Sequence, residues 1–253
     1  KLLGEDGMEA VKEIFAKPRQ ARLLLSEKLE NEEQERIRLT GEQSSILQLL
    51  GPRKRAAICG GAGTGKTLIA FQKARQLAAS GTRTLFLCYN KLLGEHLKRV
   101  NENELLMPMN FHELCEWRVR LAQAETGVDL KAQAKEDKPG GDYFNELSPH
   151  ALFLSTEVLD ERFDAIIIDE GQDFKDSFWL PLELLLQDDK QSHFYIFYDE
   201  NQAIYTKLDS FPIKDEPFRL SKNCRNTRNI FEMFNAYYEG PSVEPPERSG
   251  EPV

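Results

Sequence analysis

The stretch that most constrains this chain is Ala56-Ala57-Ile58-Cys59-Gly60-Gly61-Ala62-Gly63-Thr64-Gly65-Lys66-Thr67. A short apolar run meets the spacing G-x-x-x-x-G-K-T, and a helical pattern begins at once. Glycines reach backbone angles that other residues avoid, so such a loop can turn several N–H groups toward one centre. At the start of a helix those donors coincide with partial positive charge. Gly60, Gly61, Ala62, Gly63, Thr64 and Gly65 therefore read as a phosphate cradle. Lys66 would reach the β- and γ-phosphates, and the Thr67 hydroxyl would ligate magnesium. The competing reading, a glycine-rich turn with a chance lysine, does not account for the strand before the loop and the helix after it.

The 253 residues suffice for one large α/β domain plus part of another. With 40% hydrophobic and 30% charged residues, the composition is that of a globular protein. No run of apolar residues approaches membrane-spanning length, and no leader pattern is visible, so the expectation is a cytoplasmic protein without a membrane partner. Cys59, Cys88, Cys115 and Cys224 have no C-x-x-C spacing and read as reduced, mostly buried thiols. A net charge of −9 argues against coating nucleic acid by bulk electrostatics but leaves room for a local groove.

Along the chain, residues 1–38 read as a charged helical arm, with a stripe of Met8, Val11, Ile14 and Phe15 broken by Pro18. A domain is expected over 39–212. Its first helix buries Ile46, Leu47, Leu49 and Leu50, and the helix after the phosphate loop stops at Ser80-Gly81. Thr84 to Cys88, Phe163 to Ile168 and His193 to Tyr198 are continuous apolar runs, as parallel strands covered on both faces require. Helical spacing occupies Leu92 to Val100, Phe111 to Leu121 and Phe178 to Leu186. From about 122 to 149 periodicity fades around Lys138-Pro139-Gly140-Gly141, so a surface insertion is expected between about 122 and 160. Residues 213–253 read as the start of a second, truncated domain. Alternating strands and helices predict an α/β fold, a mostly parallel sheet with helices on both faces.

In such sheets ligands bind beyond the carboxyl ends of the strands. One strand end carries the phosphate loop. A second carries Asp169 and Glu170, suited to hold magnesium and to deprotonate an attacking water; a plain helix cap and turn is the alternative. A third carries Asp199 and Gln202, a neutral amide able to report a γ-phosphate. Thr40 and Gln43 have capping-box spacing, which explains both residues structurally, while Gln43 could instead meet an adenine edge. Phe111 and Tyr205 read most simply as core aromatics.

Seven segments then occur in one order. They are Gln43; the Gly60–Thr67 loop; Cys88-Tyr89-Asn90-Lys91; Asn110-Phe111-His112-Glu113-Leu114; Asp169-Glu170-Gly171-Gln172-Asp173; Tyr198-Asp199-Glu200-Asn201-Gln202-Ala203-Ile204-Tyr205; and Asn223-Cys224-Arg225-Asn226-Thr227. That order resembles the UvrD/Rep-like superfamily 1 helicases, over roughly Leu39 to Ile230. It is most similar to compact helicase-like ATPases fused to a nuclease-related domain, which implies such a domain as a companion in a longer chain. The resemblance implies a RecA-like P-loop NTPase that uses ATP and Mg2+ to move on single-stranded nucleic acid, with DNA favoured over RNA. It implies that Gln43 reads adenine, Thr67 and Asp169 hold the metal, and Glu170 is the general base. Gln202 would sense the γ-phosphate, with Arg225 as an arginine finger. Asn90, Lys91, Phe111, His112 and Tyr205 would contact nucleic acid, with Phe111 stacking on a base.

Three departures stand out. Cys224 occupies the place of an adenine-stacking aromatic, Leu68 that of an arginine, and Thr206-Lys207-Leu208 lack a second stacking ring. The span from His112 to Asp169 leaves room for only a vestige of the large helicases' inserted subdomain. A fragment ending after these segments would bind Mg-ATP and hydrolyse it slowly. An ATP-dependent switch or scaffold within a nuclease or defence complex, without translocation, is the alternative.

Overall fold

The structure is a computed structural model describing residues 41–200 and 211–220. The chain divides into two compact units, Lys1–Leu39 and Thr40–Val253, and the first lies outside the described residues. So do residues 221–253, most of the expected second domain.

The second unit is an α/β P-loop NTPase fold of RecA-like type. Its six strands, β1 (Arg55–Gly60), β2 (Thr84–Cys88), β3 (Leu106–Asn110), β4 (Ala165–Ile168), β5 (His193–Tyr198) and β6 (Phe218–Leu220), form one sheet in the order β3-β2-β4-β5-β1-β6. Every pairing is parallel. Parallel neighbours need crossovers, and helices supply most of them: α1 (Gly41–Leu49) before β1, α2 (Lys66–Ala79), α3 (Lys91–Val100), α4 (Phe111–Thr126), α5 (Leu130–Asp137), α6 (Ser148–Val158) and α7 (Asp176–Leu184). Being covered on both faces explains why β2 and β4 read as unbroken apolar runs: each of their residues is buried.

The local signals match the elements. Asn90 caps α3 by accepting from the N–H groups of Leu92 and Leu93, and Asn110 caps α4 by accepting from Glu113 N. Gly81, at φ 87°, lets the chain leave α2. In α1, Ile46, Leu47 and Leu50 are buried as expected, whereas Leu49 is exposed. β3 pairs along its whole length with β2, which supplies its ladder.

Two expectations are corrected. Within the expected insertion, residues 122–149 are not aperiodic. The end of α4, α5, a π-helical turn at Tyr143–Leu147 and α6 follow one another there, around a small core of Val119, Ala122, Leu130, Ala134, Ala151, Leu154 and Leu159. Its anchor is Arg118, fully buried, which donates to Ser155 Oγ, Ser155 O and Glu161 O, each at 3.0 Å. Those acceptors offset its burial, which still lowers the guanidinium pKa to about 10 and leaves it charged. Second, Phe218–Leu220 does not open a separate sheet after 213; it pairs with β1 as the edge strand of this one. That pairing satisfies the free edge of β1.

Candidate nucleotide site and its neighbouring aromatic face

The carboxyl ends of β1, β5 and β4, neighbours in the sheet, converge on one site. β1 ends at Gly60, where there is no space for a side chain: a Cβ would lie 2.7 Å from Thr64 Oγ and 2.9 Å from Leu220 Cβ. Gly63 and Gly65 then take φ of 83° and 85°, the left-handed region that glycine enters without strain. Thr64 Oγ closes the loop by donating to Gly61 O at 2.9 Å. α2 starts at Lys66 with no side-chain cap and no acidic residue in its first turn. Its leading N–H groups and dipole end are thus kept for an external anion.

Lys66 is nearly buried, and its ammonium is folded onto the loop. It donates to Gly60 O at 2.8 Å, Gly61 O at 3.0 Å and Asp199 Oδ2 at 3.2 Å. Thr67 follows on the first turn of α2.

Asp169 ends β4's apolar run and is fully buried, and among the described residues neither carboxylate oxygen has a hydrogen-bond partner. Burial pushes its pKa up to about 7, against the pull of the nearby Thr67 hydroxyl and the Lys66 charge; the neighbouring Glu170 carboxylate adds to the rise. An orphaned buried carboxylate beside a threonine hydroxyl is an unsatisfied oxygen donor set. It fits Mg2+, which takes few protein ligands and completes its shell with water and phosphate.

Glu170 has φ 54° and ψ 49°, the one non-glycine residue with positive φ among the described residues. This strained turn is fixed from below, since Gly171 packs so closely that a Cβ would meet Ile196 Cγ2 at 2.6 Å. Gln172, buried, then spans two strand ends: its amide N–H donates to Glu170 Oε2 at 2.7 Å, and its carbonyl accepts from Asp199 N at 2.9 Å. Glu170, Gln172, Asp199 and Lys66 are thereby linked in one hydrogen-bonded series. Gln172 belongs to the Asp169–Asp173 segment but is given no role there from sequence, although it stands two residues after Glu170. Its role depends on β4 and β5 being neighbours.

A family model described as an AAA domain matches residues 43–207, well over half of the 253. The chain belongs to the AAA domain family. A search of curated proteins returns no match to it.

Family and loop together make this AAA domain a nucleotide-binding P-loop domain. Gln43 lies within α1, its side chain outside the described residues, as are Gln202, Tyr205 and Arg225 entirely. Among the described residues, no helix is long and apolar enough to cross a membrane.

On the other half of the AAA domain's sheet, the residues expected to touch nucleic acid divide. The Asn90 carbonyl is committed to its helix cap. Lys91 is well exposed, with Glu95 3.9 Å away. Phe111, expected to stack on a base, is fully buried here, its ring parallel to Phe178 at 4.0 Å and edge-on to Phe174 at 5.7 Å. Heading α4, it faces the sheet's core because α7 covers that side. His112, the next residue, is half-buried and meets Tyr89 and Phe144 edge-on. Burial lowers its pKa, so the ring is neutral near pH 7. Cys59, Cys88 and Cys115 are free buried thiols, each pushed up to about 12 by burial first of all.

Proposed function

We propose that this AAA domain is the first motor domain of a UvrD/Rep-like superfamily 1 helicase-like protein, hydrolysing Mg-ATP to drive movement along single-stranded nucleic acid, DNA in preference to RNA. The observation that carries the reading is the Glu170–Gln172–Asp199–Lys66 series. It joins the phosphate-binding lysine, the candidate base and the third strand end in one polar network.

The loop N–H groups and Lys66 would bind the phosphates, and Thr67 and Asp169 would hold magnesium. Bound magnesium supplies neutralisation of the charge that develops on the phosphoryl oxygens. Glu170, poised by its left-handed backbone and by the Gln172 amide, would accept the proton of the attacking water. Gln202 and Arg225 would act on the γ-phosphate, and Gln43 on the base, by resemblance. A cytoplasmic setting and a companion nuclease domain belong to the same proposal.

A second reading, a nucleotide-dependent switch or scaffold that does not translocate, draws support from the burial of Phe111, which removes the expected base-stacking ring from the surface. The measurement that separates the two is the steady-state ATPase rate with and without single-stranded DNA. Stimulation by DNA supports the motor; indifference to DNA supports the switch. Glu170→Gln should leave ATP binding intact and lower turnover by about 100-fold or more. Equal turnover in the variant and the wild type would remove Glu170 as the base.

A further inference from the structure

The opposite end of the sheet carries a feature that the nucleotide chemistry does not use. Around the starts of β1, β5 and β6 lies a cleft of about 670 Å³, and every residue lining it except Pro212 is charged. The six residues of β1 set it about 17 Å from the phosphate loop. Two of its three carboxylates are spent on one guanidinium, since Arg55 donates to Asp189 at 2.7 Å and also to Glu183. Arg53, Lys54 and Lys190 are exposed and, among the described residues, form no ion pair; Asp215 is the remaining lining acid. In a chain of net charge −9 this is a local surplus of positive charge. Arg53 is also held in place. Its guanidinium lies over the Phe218 ring, 4.9 Å from the centroid, which fixes its plane and leaves the edge N–H groups for a planar oxyanion. Beside it, Lys54 Nζ lies 3.3 Å from His193 Nε2. Tyr195 donates its hydroxyl hydrogen toward Arg53 O at 2.5 Å and Leu50 O at 3.3 Å, so it accepts from His193 Nδ1, 2.9 Å away. Nε2 is then a bare acceptor, and the Lys54 ammonium has only a neutral ring for a partner.

We propose that this cleft docks an acidic segment of a partner protein, with Arg53 taking one carboxylate through its guanidinium edge and Lys54 and Lys190 taking others. Arginine anchors of this kind are enriched where proteins bind one another. Phosphate fits the cleft less well. Among the described residues no helix N-terminus opens on it, and Glu183, in the last turn of α7, marks the negative end of a helix dipole there. The cations come from separate segments, 53–54 ahead of β1 and Lys190 ahead of β5, which suits carboxylates spaced along a chain. Docking reaches the interior through His193. A carboxylate on Lys54 draws the ammonium from Nε2 and offsets part of the positive charge that keeps the ring neutral. The charges facing that ring are Lys54 and, from α2, Lys73. Its other neighbours are Tyr195 and, beside β4, the Asp164 carbonyl, which accepts from His193 N; the Asp164 carboxylate is taken by Arg83 N.

The test is fluorescence anisotropy of a labelled hexa-aspartate peptide, whose side chains stay ionised down to about pH 4, titrated with the full chain at low salt. Hexa-aspartate should bind and labelled hexa-asparagine should not. Arg53→Ala and Lys54→Ala should each weaken binding by about 10-fold while Mg-ATP binding, which shows that the chain is folded, is unchanged. Arg53→Lys should recover only part of the loss, because an ammonium lacks the planar fork. In imidazole NMR spectra, saturating hexa-aspartate should move the His193 titration upward by about one pH unit in the wild type and leave it in place in Lys54→Ala. No binding of hexa-aspartate by the wild type overturns the proposal, as does binding indifferent to both alanine variants. Displacement of the peptide by tripolyphosphate or by an oligothymidylate at concentrations well below the peptide's own Kd assigns the cleft to phosphate or to nucleic acid and overturns the acidic segment; weaker competition by both supports it.

Discussion

The Lys66 ammonium lies 3.2 Å from the Asp199 carboxylate, with side-chain exposures of 6% and 1%. A lysine placed to bind phosphate is thus already satisfied, by this carboxylate and by the carbonyls of its own loop. Incoming nucleotide has to compete with Asp199 for the same charge. Asp199→Asn should therefore tighten ATP binding several-fold, about 1 kcal/mol, since a neutral amide holds the lysine less strongly. Titration calorimetry checks this; unchanged or weaker binding would mean that Asp199 does not compete for the lysine.

Gln172 acts on the candidate base rather than on substrate, so its substitution should have a particular kinetic form. Gln172→Ala should lower kcat by about 10- to 100-fold with KM little changed, because Glu170 loses the group that orients it. Gln172→Glu should set a second carboxylate against Glu170 and lower kcat at least as far as Gln172→Ala does. Turnover in that variant equal to the wild type would argue against contact between the two residues during turnover.

Asp169 carries a buried, unpartnered carboxylate whose folded pKa is raised from 3.8 to about 7. The unfolded chain releases this proton near the lower value and the folded chain near the higher one. Between them the folded state binds the extra proton, so stability falls as pH rises from about 4 to 7. In metal-free protein at pH 8, Asp169→Asn should be more stable than the wild type by about 1–3 kcal/mol, and should lose the gain in stability that magnesium and nucleotide confer. Denaturant melts with and without Mg2+ decide it.

His193 has the opposite sign. Burial first, and then the charges of Lys54 and Lys73, lower its pKa from 6.5 to about 4. The unfolded chain takes up a proton below about 6.5 that the folded chain refuses until about 4. Stability is therefore full above 6.5 and is lost as pH falls across that window. The ring is partly exposed, so solvent screening reduces the effect to about 1–2 kcal/mol. His193→Gln should flatten the acid side of the stability profile, which thermal melts from pH 4 to 7 would register.

The phosphate loop, the strands β2, β4 and β5 and the stop of α2 at Ser80-Gly81 were legible because each depends on neighbours in sequence. Glycine φ, N-cap chemistry and unbroken apolar runs are local consequences of residue type. The helical insertion was not legible. Its core is assembled from α4, α5 and α6, and its anchor, Arg118, is a charged residue that no hydrophobic pattern would place inside.

By itself, the sequence determined that this chain builds a strand, a glycine loop and a helix for phosphate, and that a carboxylate pair follows another buried strand. The tertiary structure alone decided which residues stand together. The strand order sets β5 between β1 and β4, and this joins Lys66 to Asp199 and Asp199 to Gln172. It also decided that Phe111 faces inward while Tyr89 and Phe144 face out. The reason is that a residue's type states what it can bond or bury, whereas only the packing of distant elements states which partners and which solvent it meets.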